Sequence, residues 1–286
     1  MLAQTIRKLE QVKGLDRVVN TMNDAVNKVL PPGEVKDALH GKQLGHALHP
    51  MLIAVPIGFN VAATVLDLMG GERDRAAARR LVGVALVATP PTVAAGLADF
   101  SSLGKNMRPK RVAVVHAGSN AVASVLFTAS WLARRQGRHG AGKMFSLLGL
   151  TGLSVGGYLG GHLAYSQGVG VNRNADRAPR PKDWTDAAAV SDLAAGPVRV
   201  EVSGQPVMLV RKDAEVYALG AVCSHLGGPL EEGQVVGGDD ECVVCPWHGS
   251  MFRLSDGSVA RGPATAAQIP YDVRVSGDRI EVRARQ

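Results

Sequence analysis

Four apolar stretches of roughly 20 residues each dominate the first two-thirds of this chain and restrict what it can fold into. They run from Pro50 to Met69, Leu81 to Phe100, Val112 to Ala133 and Met144 to Tyr165. Each is nearly free of charge and long enough to cross a hydrocarbon core. A soluble bundle of buried, Gly-rich helices is the competing reading. Composition favours the membrane: 46% of residues are hydrophobic, only 4% are aromatic, and 34 are Gly. Small residues let helices approach closely in lipid, where aromatic bulk is not needed to drive association. Pro90 and Pro91 at the middle of the second stretch predict a kink. In the fourth, Gly152, Gly156 and Gly160 form one row, which suits close helix packing.

Lys and Arg crowd every connector between these stretches. Such charges fit topology and headgroup contact, and no aromatic residues interleave them, so nucleic acid is not an expected partner. Four crossings put both chain ends on one side. That side carries ten flanking Lys or Arg, Arg180 among them, against eight on the other. The margin is narrow, and the expected side is cytoplasmic, in a bacterial cell membrane. The first thirty residues have no apolar core of a signal peptide. Ile6, Leu9, Val19, Met22 and Val26 recur at helical spacing, which predicts short amphipathic helices at the membrane surface.

Comparing depth across alternating helices brings ionisable residues to one leaflet. His46 and His49 precede or open the first stretch, Asp99 ends the second, His116 lies one turn into the third, and His162 lies one turn from the end of the fourth. Ionisable groups at membrane depth are costly to desolvate. Three readings stand open: side chains satisfied by one another and by headgroups, a haem b held by two of His49, His116 and His162, or a quinone pocket or non-haem metal site.

Beyond Tyr165 the pattern changes. Residues 167–182 are rich in Gly, Asn, Pro and Arg and read as a tether. From Trp184 onward come short alternating runs such as PVRVEV, QPVMLVRK and RIEVRAR, parted by turn residues, which predict a small all-β domain. Charge follows the same division: residues 1–182 carry 23 Lys or Arg against 10 Asp or Glu, and residues 183–286 carry 9 against 15. The three Cys are too few and odd for a disulfide framework. Cys242 reads as a plain core thiol. The other two stand in CSHLGGPL and CPWHGSMF, which offer Cys223 with His225 and Cys245 with His248. Two thiolates and two imidazoles suit a tetrahedral zinc as well as iron.

The detail around these pairs resembles the Rieske family, in which a Cys-x-His loop and a Cys-x-x-His loop hold a [2Fe-2S] cluster. That resemblance implies Cys223 and Cys245 on one iron and His225 and His248 on the other. It also implies that Leu226, Gly228, Pro246, Trp247, Gly249, Ser250, Phe252 and Pro263 surround the cluster. The respiratory branch has a disulfide where this chain has Gly228 and Trp247, and a Tyr hydroxyl where it has Phe252. Ser250 remains able to donate to a bridging sulfide, so a potential between the ferredoxin-like and respiratory groups is expected. Only 38 residues follow His248 and none is His, so the iron site of a Rieske oxygenase is not expected in the soluble part. Residues 39–68 (LHGKQLGHALHPMLIAVPIGFNVAATVLDL) resemble an uncharacterised family of predicted bacterial membrane domains, some fused to Rieske domains.

The expected class is thus an α + β multidomain chain, a four-helix transmembrane bundle followed by a small all-β Rieske sandwich. Its expected parts are an N-terminal amphipathic segment (1–48), the membrane bundle (49–166), a linker (167–182) and the Rieske domain (183–286). The expected function is single-electron transfer between a membrane donor, haem or quinol, and a soluble or membrane redox partner. A membrane oxidoreductase using the histidine layer, and a redox sensor, are the alternatives.

Overall fold

The computed structural model describes residues 2–177, 181–193, 196–237 and 240–285; residues 178–180 of the linker, Arg180 included, lie outside the described residues. The chain divides into two units, Met1–Pro31 with Leu48–Val169, and Pro32–Ala47 with Gly170–Gln286.

The first unit is helical. Two short helices, α1 (Leu2–Leu9) and α2 (Asp16–Val29), precede the long ones. A single turn, α4 (His49–Leu52), leads into α5 (Ala54–Met69), followed by α6 (Arg75–Ser101), α7 (Met107–Arg135) and α8 (His139–Gly161); α3 belongs to the second unit. Among the described residues four helical stretches are long and apolar enough to cross a membrane: His49–Met69, Glu72–Ser101, Met107–Arg135 and His139–Ser166. Large apolar side chains such as Leu68, Val87 and Val125 stand exposed on them. Pro90 and Pro91 lie inside an α6 that is assigned as one helix.

The glycine row of α8 is used for packing. A Cβ at Gly152 would meet the Ser119 carbonyl at 3.2 Å, and one at Gly156 would meet Asn120 Oδ1 at 2.5 Å. The far ends of the helices are tied by a buried ion pair in which Arg134 forks onto Asp67, with Nη1 donating to Oδ1 at 2.8 Å. Ser130 and Ser146 complete that network.

The apolar faces of the N-terminal helices do not need a lipid surface. Ile6 and Val19 are buried in a cluster with Phe100, Leu103, Val112, Leu159 and Leu163. Glu10, at the end of α1, accepts from Arg108 at 2.6 Å, Gln167 at 2.8 Å and His162 at 3.1 Å. Arg111 forks onto Asp16 at 2.6 and 2.9 Å.

The second unit holds two sheets. Strands β1 (Thr185–Ala189), β2 (Val198–Val202), β3 (Gln205–Lys212), β4 (Glu215–Gly220), β9 (Pro270–Ser276) and β10 (Arg279–Ala284) form a six-stranded sheet in the order β1-β10-β9-β4-β3-β2. Strands β5 (Gln234–Val236), β6 (Cys242–Val244), β7 (Met251–Arg253) and β8 (Val259–Arg261) form the second. Alternation in β3 sends Met208 and Val210 into one core with Leu219, Val243 and Phe252, and Val207 and Leu209 into another with Ile280 and Val282. The Ser203-Gly204 turn between β2 and β3 takes positive φ at both residues, the geometry that a tight hairpin favours.

Two segments join this unit from outside the β-rich stretch. Residues 32–47, which read in sequence as the tail of the N-terminal segment, include α3 (Glu34–His40), whose Lys36, Asp37 and His40 are buried. Asp37 Oδ1 accepts from the Gly262 N–H at 3.0 Å, and Lys42 Nζ donates to the Ala260 carbonyl at 2.5 Å. The second half of the expected tether belongs here too: Arg173 N–H donates to the Ser224 carbonyl at 2.9 Å, and Asn174 Nδ2 to the Val222 carbonyl at 2.9 Å. Polar side chains and backbone, with no apolar period to announce them, make these attachments.

Candidate metal centre

Two loops of the second unit are built on one plan. In the first, after β4, the Cys223 N–H donates to Gly228 O at 2.8 Å and the Gly227 N–H to Cys223 O at 2.9 Å. In the second, between β6 and β7, the Cys245 N–H donates to Ser250 O at 2.8 Å and the Gly249 N–H to Cys245 O at 3.0 Å. The closing glycine stands four residues after the Cys in both, with φ of 83° at Gly227 and 74° at Gly249, a conformation that L side chains rarely adopt. Each loop therefore turns sharply enough to present a thiol inward and an imidazole two or three residues on.

The thiols are buried, Cys223 at 1% exposure and Cys245 at 2%. The rings of His225 and His248 lie 5.0 Å apart and nearly perpendicular. The donors fall as a thiol pair and an imidazole pair, the division that a two-iron cluster with unequal ends requires. The loops also supply donors to sulfur. Backbone N–H groups of His225 and Leu226 reach Cys223, and those of Trp247 and His248 reach Cys245.

Electrostatics suit ligation. The hydrogen bond from Cys223 brings Cys245 down to about 7, while that same pairing and burial push Cys223 up. Burial, then the neighbouring His248, His40 and Arg173, brings His225 down to about 3 and keeps its imidazole neutral, the form that binds metal.

The surroundings expected from sequence fall around these loops. A Cβ at Gly228 would stand 2.9 Å from Cys245 Sγ and 3.0 Å from Trp247 Cγ, so no side chain fits there. Ser250 is fully buried, and its Oγ accepts from the Ala264 N–H at 2.9 Å, which fastens the covering loop of Gly262 and Pro263. Phe252 is fully buried in the core cluster that contains both thiols. Pro246 is exposed, and Trp247 is 55% exposed with its ring edge-on to His248 at 6.3 Å. Sequence reading missed Asp37, which reaches the covering loop, and His40, whose charge acts on His225; no spacing links them to the Cys/His pairs.

Four of the five ionisable residues of the expected histidine layer lie in the helical unit; His49 and His116 have rings 6.3 Å apart, and Asp99 lines the same cavity. His162 turns to Glu10, and His46 is exposed in the segment that groups with the second unit.

Comparison with known proteins gives two family matches. Residues 183–275 match the Rieske [2Fe-2S] domain, and residues 45–173 match a predicted membrane protein family, DUF2231. Apoptosis-inducing factor 3 of Homo sapiens is 37% identical over 109 residues, which are 37% of this chain and 18% of that protein. The chain thus spans under a fifth of that relative's length. The anthranilate 1,2-dioxygenase ferredoxin subunit of Burkholderia cepacia is 29% identical over 35% of this chain and 91% of its own length. Among solved structures, the ferredoxin of carbazole 1,9a-dioxygenase from Nocardioides aromaticivorans is 30% identical, covers 36% of this chain and all of its own, and has a TM-score of 0.34.

Proposed function

Because this chain joins a Rieske [2Fe-2S] domain to a DUF2231 membrane-protein domain, we propose that it is a membrane-anchored single-electron carrier. The Rieske domain makes it an iron–sulfur electron-transfer protein; the anchoring, donor and acceptor are our reading. Four helices cross a bacterial cell membrane, with the Rieske domain on the cytoplasmic side. Electrons arrive from a membrane donor and leave to a redox partner, as in an electron-transfer component of an oxidoreductase system.

The observation that carries this reading is the pairing of two buried thiols with two adjacent imidazoles on matched loops. Cys223 and Cys245 would hold one iron, and His225 and His248 the other. The [2Fe-2S] group supplies a one-electron couple there, and two neutral imidazoles in place of thiolates make it easier to reduce. The rest falls to the protein. Backbone N–H groups on both sulfurs stabilise thiolate charge, the Ser250 hydroxyl is placed to donate, and Phe252 excludes water from below. Trp247 and His248 offer a partly exposed face for a partner. Relatives named as ferredoxin components of anthranilate and naphthalene dioxygenase systems favour an oxygenase or reductase as that partner.

Chemical analysis of anaerobically purified protein in detergent is the test. We expect iron and acid-labile sulfide in equal amounts and, after reduction, the EPR signal of a mixed-ligand cluster, lost in His225→Ala. Absence of sulfide from the wild-type protein would refute the reading.

A further inference from the structure

A cavity of about 290 Å³ lies wholly inside the helical unit, walled by α4 to α8 and by Met22 of α2. Its walls are apolar apart from a few side chains. The hydroxyls of Thr89, Thr92 and Ser124 each donate to a carbonyl of their own helix and are occupied. What remains is His49, Asn60, Asp99, His116 and Asn120.

The ring nitrogens can be assigned. His49 Nδ1 lies 2.9 Å from the Thr92 carbonyl, and His116 Nδ1 lies 2.7 Å from the Gly156 carbonyl. A carbonyl only accepts, so both Nδ1 atoms carry the proton, and in the neutral rings both Nε2 atoms are acceptors. No described residue bonds His49 Nε2; the amide nitrogen of Asn120 stands 3.3 Å from His116 Nε2 while donating to the His116 carbonyl at 2.9 Å. Asn60 is 4% exposed, and its Oδ1 has no hydrogen-bond partner among the described residues. Leaving a buried polar atom unpaired costs about 1–3 kcal/mol. The cavity thus presents two acceptors with no donor among the described residues, His49 Nε2 and Asn60 Oδ1, and a third, His116 Nε2, with only the 3.3 Å approach of Asn120.

Its position narrows the ligand further. Val93, Ala121 and Gly157 belong to its walls and are exposed, so the cavity can be entered from between the long helices, where lipid would lie if they cross a membrane. The volume sits at the bottom of the range for small-molecule sites, which suits one small ring. A lipid-soluble ring carrying hydroxyl donors meets every condition.

We propose that this cavity binds the ring of a lipid hydroquinone, whose two hydroxyls donate to the Nε2 atoms of His49 and His116. The inference rests on the membrane donor proposed above and names that donor's class and place. Oxidation of the ring to the quinone releases two protons and two electrons. The protons pass to the two Nε2 atoms. The two electrons leave one at a time to a one-electron acceptor; the [2Fe-2S] group that Cys223, Cys245, His225 and His248 would hold is of that class, and a redox partner would reoxidise it after each.

The test is anaerobic titration of the full-length protein in detergent with a decyl-substituted benzohydroquinone. Saturable binding is expected, weaker by about tenfold in His49→Leu and in His116→Leu. The dimethyl ether of the same compound keeps ring and tail without a donor, and it should bind wild-type protein about tenfold more weakly, whatever the variants' folding. Equal binding of ether and hydroquinone, or no saturable binding, would overturn the site. So would haem absorption bands that vanish in His116→Leu. Cluster content and EPR signal should be unchanged in both variants. A protein that lacks the cluster yet binds the hydroquinone refutes the electron-carrier reading and leaves this site standing.

Discussion

At Ser250 a single hydroxyl has two duties. Its oxygen holds the Ala264 N–H and with it the covering loop, and its proton stays available for a sulfide. A donor to sulfide favours the reduced, more negative state, so Ser250→Ala should lower the potential by about 20–60 mV, the equivalent of one hydrogen bond. A redox titration followed by circular dichroism measures it, and an unchanged potential would mean that the hydroxyl serves only the loop. Gly228 is the second sensitive position. Gly228→Ala forces a methyl group against Cys245 Sγ and the Trp247 ring, and we expect iron and sulfide content to fall well below that of the wild type while helical circular dichroism is kept. The four Cys/His positions were readable from spacing alone. Gly228 and Ser250 were readable only through resemblance, because a residue that must be small, or must donate, leaves no periodic trace.

Among the elements, α5, α7 and α8 meet at the buried Arg134–Asp67 pair. Removing one partner leaves the other charge buried and alone, so Asp67→Asn should destabilise the helical unit by about 3–5 kcal/mol, while Asp67→Leu with Arg134→Met should restore most of it. Thermal unfolding in detergent separates the two outcomes. The contact of α1 with the bundle gives a pH signature. Burial raises the Glu10 pKa, but bonds from Arg108, Gln167 and His162 outweigh it and hold the carboxyl at about 2, against an ordinary 4.5. A depressed carboxylate stabilises above its unfolded pKa and loses that contribution as pH falls through the folded one. The difference in melting temperature between wild type and Glu10→Gln should therefore shrink as pH falls between 4.5 and 2. The long helices were legible because run length and hydropathy are local properties. The partner of His162 was not, since Glu10 lies 152 positions away, and neither was the attachment of α3, which reaches across 225 positions to Gly262. Asn60 offered one cue, a lone amide in an apolar run, but sequence cannot say whether such a group is paired.

Over the whole molecule, charge is segregated: the C-terminal 104 residues hold 15 acidic against 9 basic side chains, and the remainder is strongly basic. Docking of a basic acceptor on the acidic domain should be electrostatically steered. Reduction of cytochrome c, a small basic haem protein, is then expected to slow by about tenfold or more between low and physiological salt, as stopped-flow absorbance would show. A rate indifferent to salt would place recognition on the apolar Trp247 face instead. The assignment of residues 32–47 to the second unit has a consequence for how the protein is made. This stretch leaves the ribosome about 120 residues ahead of the domain that will receive it, a delay of roughly 6–25 s at ordinary elongation rates. During that interval Lys36, Asp37 and His40 stand in water, where their polarity costs nothing, while all four long helices are synthesised. Biosynthesis therefore finishes the C-terminal unit by joining an early segment to it, and in the membrane arrangement proposed above both pieces must lie on one face.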